Sequence, residues 1–242
     1  MSVDFDKLVA DTLAVLQRVA AEYSPAVLAS SLAVEDMVLT DLILRHRLSI
    51  GIFSLETGRL HAETLAVIGK VKETYGYDIE LFRPEPKAVE EYVHNHGLNA
   101  FYDSVDLRKE CCRIRKVEPL QRALAGKKAW ITGQRRQQSS TRSELQVEEF
   151  DAGHGLAKFN PLADWSENDV WNYIRTNNVP YNALHDKGYP SIGCEPCTRT
   201  IQPGEDVRAG RWWWENPDSK ECGLHVVDGK LIRIKQVQET TT

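Results

Sequence analysis

The sequence predicts an α/β protein built on a parallel, twisted sheet that carries helices on both faces. The first observation is an alternation of short apolar runs with longer segments of helical periodicity, the pattern of strands joined by helical crossovers. The second is that several predicted strands end in small polar residues. Such residues are expected where a ligand binds at the carboxyl edge of a parallel sheet.

The first predicted elements form a helix–strand–helix unit. Residues 5–22 place apolar side chains at helical spacing and predict an amphipathic helix. The apolar run 26–30 follows Pro25 and predicts a buried parallel strand. A turn then leads into a helix predicted over 35–44.

The same unit repeats along the chain. Strands are predicted over 49–54 and 77–81, each followed by a helix, over 60–75 and 86–96. A further strand is predicted over 128–133. We expect one main α/β domain over 1–198, followed by a mobile C-terminal arm over 199–242 that is rich in glycine, proline and charge.

Composition and charge exclude several classes of function. Of the 242 residues, 42% are hydrophobic and 27% charged, as in ordinary globular proteins. The net charge of −5 argues against a nucleic-acid binder. Apolar runs are too short to span a membrane and the N-terminus is acidic, so we expect a cytoplasmic protein with reduced thiols. Basic residues cluster over 108–116, 135–142 and 199–211, which favours a small anionic ligand.

Four of the five cysteines form two pairs, Cys111-Cys112 and Cys194-x-x-Cys197. Four thiolates can hold either zinc or an iron–sulfur cluster, and the residues alone leave both open. Adjacent cysteines on a helix point about 100° apart, which fits a cluster with spread irons more easily than a compact zinc site.

The fifth cysteine, Cys222, has charged surroundings and a histidine three residues later, His225. Buried, inert cysteines usually lie in apolar runs. A neighbouring cation lowers the pKa of a thiol and makes it a nucleophile, so we predict a reactive residue.

Three turns follow predicted strands and meet at the carboxyl edge of the sheet. They contain Ser30-Ser31, the segment 55–58 and the segment 132–135. The serine turn leads into a helix N-terminus, where unpaired N–H groups favour a bound phosphate. An ordinary serine N-cap explains the same two residues.

These motifs resemble those of the assimilatory adenylyl-sulfate and phosphoadenylyl-sulfate reductases. The matching segments are the serine turn, LETGRLH at 55–61, TGQR at 132–135, QSSTR at 138–142, NPLADW at 160–165 and ECGLH at 221–225. Glu56 stands where the family usually has aspartate, and the turn lacks the glycines with which other members of the superfamily split ATP.

The resemblance implies an adenine-nucleotide α-hydrolase fold of the PP-loop type and, with both cysteine pairs present, one [4Fe–4S] cluster per subunit on Cys111, Cys112, Cys194 and Cys197. Members with these pairs use the substrate without a 3′-phosphate. Cys222 is then the catalytic residue. The implied substrate-binding residues are Ser30, Ser31, Thr57, Gly58, Lys116, Gly133, Arg142, Arg208, Arg211 and His225. Lys116 lies one helical turn after Cys112, and arginine forks suit phosphate and sulfate oxygens.

The implied activity is reduction of adenosine 5′-phosphosulfate to sulfite and AMP through an S-sulfocysteine, with thioredoxin or a glutaredoxin-like protein as reductant. Neither nucleic acid nor membrane is an expected partner, and the sequence leaves a homo-oligomer open. The alternatives are the same reaction on the 3′-phosphorylated nucleotide, an ATP-dependent thiolase or ligase, which the missing glycines oppose, and a non-catalytic iron–sulfur protein.

Overall fold

The computed structural model describes residues 3–138 and 144–216, with secondary structure bounded as follows. The helices are α1 (Val3–Glu22), α2 (Val34–Arg45), α3 (Ala62–Tyr75), α4 (Pro86–His96), α5 (Val105–Cys112), α6 (Glu118–Leu124) and α7 (Glu167–Thr176). The strands are β1 (Ala26–Ala29), β2 (Ile50–Leu55), β3 (Glu80–Phe82), β4 (Ala129–Ile131), β5 (Glu148–Asp151) and β6 (Leu156–Phe159).

The described strands form one six-stranded sheet in the order β3-β2-β1-β4-β6-β5. All neighbours are parallel except β5, which pairs antiparallel with β6 at the edge. The central strand β1 pairs Leu28 with Ile52 on one side and with Ile131 on the other. This register brings the carboxyl ends of β1, β2 and β4 to the same edge, as predicted.

Apolar side chains cover both faces of the sheet. Leu28 and Ile52 belong to the larger core, together with residues of α1, α2, α3 and α7. Val27 and Trp130 point to the opposite face and pack with Leu120 of α6. Because successive strand residues face opposite sides, short runs that are apolar throughout indicate burial on both faces. The predicted fold class is confirmed.

A buried carboxylate joins three helices on the larger core. Asp41 of α2 accepts hydrogen bonds from the hydroxyls of Tyr75 in α3 (2.6 Å) and Tyr173 in α7 (2.8 Å). Arg45 adds a third hydrogen bond at 2.6 Å. Burial and the Asp41 charge raise the pKa of both tyrosines, so the hydroxyls stay protonated as donors.

The predicted strand 77–81 is wrong at its start, because β3 begins at Glu80. Gly76 ends α3 in a left-handed conformation, and the Tyr77 hydroxyl accepts a hydrogen bond from Ile52 N at 3.0 Å. The chain therefore crosses towards the sheet at Tyr77 before it pairs with β2. Among the described helices, none is both long and apolar enough to cross a membrane.

Candidate functional site

The two serines after β1 shape a turn and do not cap the next helix. Helix α2 has Ala33 at its N-cap, without a side-chain cap. Ser30 Oγ accepts a hydrogen bond from Leu32 N at 3.2 Å, and Leu32 adopts a φ of 64°. Ser31 donates to Asp36 Oδ2 from both its N–H and its hydroxyl, each at 2.6 Å. The simple N-cap interpretation therefore does not account for these serines.

Asp36 connects this turn to the turn after β4. Its second oxygen, Oδ1, accepts a hydrogen bond from Gly133 N at 3.1 Å. Burial raises the pKa of Asp36 to about 6, and the hydrogen bonds from Ser31 and Gly133 oppose that rise. A Cβ atom at residue 133 would overlap Asp36 Oδ1 and lie 3.0 Å from Glu35 Cβ. Only glycine fits this approach of the two turns.

A buried ion pair holds the next residues of the β4 turn. Arg135 Nη2 lies 2.9 Å from Glu35 Oε1, and Gln138 Nε2 donates to the same oxygen at 2.9 Å. This pair fixes the chain at the start of the segment that contains Arg142. Arg142 itself, like Cys222 and His225, lies outside the described residues, so their roles stay predictions.

The turn after β2 reaches the cysteines. Thr57 Oγ1 lies 3.2 Å from Cys194 Sγ and accepts a hydrogen bond from Arg59 N. Arg115 donates to the Thr57 carbonyl at 2.7 Å. Gly58 has a φ of 71°, which favours glycine at that position. The predicted substrate turn is thus in direct contact with the CxxC loop.

The four paired cysteines line one cavity. Cys111 and Cys112 are the last two residues of α5. Cys194 and Cys197 lie at the two ends of a short turn, and Cys194 forms a β-bridge with Leu60. All four are free thiols, with Cys111 half-buried and the others buried. The remaining lining residues are Arg59, Phe101, Arg108, Arg115, Lys116 and Pro196. Residues separated by about 80 positions in sequence therefore meet at one point of the fold.

The environment of these thiols combines burial with positive charge. Burial and the neighbouring Cys194 raise the pKa of Cys197 to about 12, and Lys116 opposes the shift. Burial also raises the pKa of Cys111, opposed by Arg115. Buried thiols of this kind lose their protons when a metal binds, because the positive charge of the metal stabilises the thiolates.

The donor set is that of a four-thiolate centre. Within the described ranges, no three His, Cys, Asp or Glu side chains converge on one point as ligands of a single ion. The thiols line the cavity from two sides, α5 and the CxxC loop. A [4Fe–4S] cluster takes one thiolate on each of four irons, and this set of residues fits such a group.

Lys116 lies on the same cavity as Cys112, but not on a continuous α-helix. Residues Arg113–Val117 form a π-helical turn between α5 and α6. Such turns occur often at functional sites. The Lys116 side chain is buried, with Nζ 5.9 Å from the centre of the Trp212 ring. The prediction that Lys116 and Cys112 face the same side agrees with the structure, because both line the cavity. The prediction assumed a regular α-helix, whereas the chain between them forms a π-helical turn.

Arg208 and Arg211 lie in the described part of the arm. Arg211 is buried beside the residues that precede Cys194: its Nη1 donates to the Ile192 carbonyl at 3.2 Å, and its guanidinium lies 4.8 Å from the Trp212 ring centre. Arg208 is half-buried, and its backbone N–H donates to Asp206 at 2.8 Å. The arm is thus packed on the main domain at least as far as Trp212, which is 1% exposed. The boundary at residue 198 stays a prediction.

Three arginines of the cavity were not assigned as site residues from the sequence, although two of them lie in the basic cluster 108–116 and the third in the motif 55–61. Arg59, Arg108 and Arg115 all line it. A signal was present, because Arg108, Cys112 and Arg115 are spaced at i, i+4 and i+7 and therefore share one helical face. Their burial depends on partners distant in sequence, which the pattern alone does not give.

Comparison with known proteins gives a consistent result. Residues 25–200 match the family model of the phosphoadenosine phosphosulfate reductase domain. An adenosine 5′-phosphosulfate reductase of Burkholderia cepacia is 63% identical over 88% of this chain and 85% of its own length. One of Allochromatium vinosum is 59% identical over 89% of this chain and 84% of its own.

Two solved structures have a similar fold. A phosphoadenylyl-sulfate reductase of Candida auris, in a phosphate complex, superimposes with a TM-score of 0.68 at 28% identity and covers 83% of this chain and 98% of its own. An FMN adenylyltransferase of Candida glabrata gives a TM-score of 0.56 at 15% identity, over 93% of this chain and 80% of its own. The second shares the fold alone.

Proposed function

The chain belongs to the phosphoadenosine phosphosulfate reductase family, and we propose that it reduces adenosine 5′-phosphosulfate to sulfite and AMP in assimilatory sulfate reduction. One observation carries the proposal. The two cysteine pairs, distant in sequence, line a single cavity with Arg59, Arg108, Arg115 and Lys116, and this cavity touches the turn after β2. Four bacterial relatives that share 58–63% identity are named for the same nucleotide.

The four paired cysteines would hold one [4Fe–4S] cluster per subunit. Four thiolates satisfy the ligand requirement, and burial in a cavity lined by cations offsets their charge. When bound, the cluster supplies a fixed charge and a rigid frame near the substrate; the electrons for reduction come from elsewhere. On this account Cys111, Cys112, Cys194 and Cys197 are ligands, and Lys116 faces both the ligands and the substrate.

The nucleotide would lie along the carboxyl edge of the sheet. Ser30 and Ser31 present the turn at the N-terminus of α2, where unpaired N–H groups and the helix dipole favour a phosphate. Gly133 allows the turn after β4 to lie close to the start of α2, because it has no side chain. Thr57 and Gly58 place the β2 turn between this edge and the cysteine cavity. The phosphosulfate would then point towards Lys116.

The reaction would proceed through Cys222. Its thiolate attacks the sulfur of the sulfate group, an S–S bond forms, and the S–O bond to the phosphate breaks. AMP leaves with the bonding electron pair, and the enzyme carries an S-sulfocysteine. Lys116, Arg142, Arg208 and Arg211 would stabilise the negative charge that develops on the leaving phosphate. His225, three residues beyond Cys222, would assist the thiolate.

A dithiol protein of the thioredoxin or glutaredoxin-like class would complete the cycle. One of its thiolates attacks Cys222 Sγ, sulfite leaves, and a mixed disulfide forms. The second thiol of the reductant attacks that disulfide and returns Cys222 as a thiolate. The two electrons for the reduction thus come from the dithiol. Such reductants occur in the cytoplasm, which is the compartment we propose for this protein.

The same chemistry on the 3′-phosphorylated nucleotide is the second candidate. It is favoured by the Candida auris structure, which is named for that substrate and superimposes over most of both chains. The two cysteine pairs favour the unphosphorylated substrate.

Steady-state assays with thioredoxin, using each nucleotide separately and both in competition, test the assignment. We expect sulfite and AMP from the unphosphorylated substrate with a much higher kcat/KM. A higher kcat/KM for the 3′-phosphorylated nucleotide would instead support the second candidate function. A non-catalytic iron–sulfur protein would give no sulfite with either nucleotide, and Cys222→Ser would then have no effect.

A further inference from the structure

The guanidinium of Arg211 is held by backbone that leads into the cysteine loop. Arg211 Nη1 donates to the carbonyl of Ile192 at 3.2 Å, and the side chain is only 9% exposed. The Trp212 ring covers it, with 4.8 Å between Arg211 Cζ and the ring centre. The position of this cation therefore depends on the chain immediately before Cys194.

Gly193 provides the space that the guanidinium occupies. A Cβ atom at this position would lie 2.6 Å from Arg211 Cζ and 3.0 Å from Nε, and would overlap Nη2. The backbone of Gly193 is not among the left-handed glycines. A left-handed backbone therefore does not require glycine here, and the requirement is one of space.

The loop that contains Gly193 is closed on itself. Gly193 N donates to Thr198 Oγ1 at 3.1 Å, and that hydroxyl donates to the Cys194 carbonyl at 2.9 Å. Thr198 also forms a β-bridge with Arg211. Gly193, both cysteines of the CxxC loop and Arg211 are thus parts of one small hydrogen-bonded unit.

We propose that Gly193 is a positioning residue for Arg211. Its hydrogen side chain lets the guanidinium lie flat on the cysteine loop, so the loop that carries Cys194 and Cys197 also sets where Arg211 meets the phosphosulfate. The inference rests on the proposed function of Arg211. It links the order of the CxxC loop to substrate affinity through a steric contact, independently of any electron transfer.

The test is a double-mutant cycle in the full-length, anaerobically purified protein. The variants are Gly193→Ala, Arg211→Ala and the double variant, and the measurements are KM and kcat for adenosine 5′-phosphosulfate and the iron content. The atoms that a Cβ would meet belong to the end of a flexible side chain. Gly193→Ala is therefore expected to fold with unchanged iron content.

We expect Gly193→Ala to raise KM about ten- to a hundredfold, the range for loss of a hydrogen bond to a charged group. The double variant should bind no worse than Arg211→Ala, because the two changes remove the same contact. Gly69→Ala is the matched control. It lies in α3 with nothing within 4 Å of the added methyl, and its kinetics should be unchanged.

Normal KM in Gly193→Ala, or an effect that adds fully to that of Arg211→Ala, would overturn the inference. If Gly193→Ala fails to fold, the double variant decides: folding of the double variant supports the overlap with Arg211, and failure contradicts it. If Arg211→Ala itself has a normal KM and a normal kcat, the proposed substrate role of Arg211 is wrong, and this inference is wrong with it. The reaction class is unaffected, since Cys222 tests it separately.

Discussion

At the scale of single residues, the carboxyl edge of the sheet, where we propose that the nucleotide binds, depends on one carboxylate and on one glycine. Asp36 accepts hydrogen bonds from Ser31 and from Gly133, and these residues belong to turns after two different strands. Asp36 and Gly133 are buried, whereas Ser31 is exposed. A buried carboxylate and a buried N–H need hydrogen-bond partners within the protein. The geometry of the edge is therefore sensitive to changes that leave the rest of the domain intact.

Gly133→Ala should disrupt this contact. The new methyl would overlap Asp36 Oδ1 and lie 3.1 Å from Asp36 N, which is backbone and gives way only with a shift of α2. Overpacking of this kind costs about 1–3 kcal/mol of stability. We expect a lower midpoint of chemical denaturation and weaker AMP binding by calorimetry. A variant with unchanged AMP affinity would place the nucleotide elsewhere.

The buried Asp36 carboxyl gives a pH dependence of defined sign. Its pKa is raised by burial from 3.8 to about 6, so the folded state binds this proton more tightly than the unfolded chain does. Its contribution to stability therefore falls as pH rises from about 4 to about 6 and is constant above that. The difference in unfolding free energy between the unmodified protein and Asp36→Asn, measured at each pH, should follow this course. A difference that grows with pH would contradict the raised pKa.

At the scale of elements, the described part of the arm is fastened to the helix that carries the first cysteine pair. Arg108 of α5 donates two hydrogen bonds to Glu215, both at 2.7 Å, and the side chains are 0% and 2% exposed. The Arg108 guanidinium also lies over the Trp212 ring, 4.8 Å from its centre. Cys222 follows Glu215 by seven residues, so its Cα lies within about 25 Å of the Glu215 Cα. The ion pair therefore limits how far the proposed nucleophile, Cys222, can lie from α5.

Removing one partner of this pair should be costly. Glu215→Ala removes the carboxylate that pairs with the buried Arg108 charge, and breaking a buried ion pair in this way typically destabilises a protein by about 3–5 kcal/mol. The double variant Arg108→Met, Glu215→Met replaces both charges with apolar groups and should recover most of that loss. Chemical denaturation of the unmodified protein, Glu215→Ala and the double variant measures these changes in unfolding free energy. The exposed pair Arg18–Glu148 is the control, and Glu148→Ala should change stability by less than about 1 kcal/mol.

At the scale of the whole molecule, four of the five parallel strands were predicted from the sequence, whereas β6 and the antiparallel edge strand β5 were not. Strands β1, β2 and β4 are short apolar runs buried on both faces, a pattern that stands out locally. The edge strand β5 carries Glu148, Glu149 and Asp151 and lacks that pattern. A helix at the first cysteine pair was expected, but the bounds of α5 were not predicted, because its buried side includes Arg108, whose partner is 107 residues away.

The site was predictable to the extent that it consists of rare residue types. Two cysteine pairs identified the cavity, and their meeting in the fold agrees with a shared role as ligands. The meeting of Arg59, Arg108 and Arg115 with these cysteines was not predicted, and neither was the steric role of Gly193, because both depend on long-range contacts. Arg142, Cys222 and His225 lie outside the described residues, so their assignment depends on the motifs.

The central claim is that Cys222 carries the sulfonate. Its most direct test is the mass of the anaerobically purified, full-length protein after incubation with adenosine 5′-phosphosulfate in the absence of thioredoxin, followed by peptide mapping. The account predicts the gain of one SO₃ group on the peptide that contains Cys222, with release of an equal amount of AMP and no adduct in Cys222→Ser. An intact cluster with no adduct from either nucleotide, or an adduct on another residue, would contradict it.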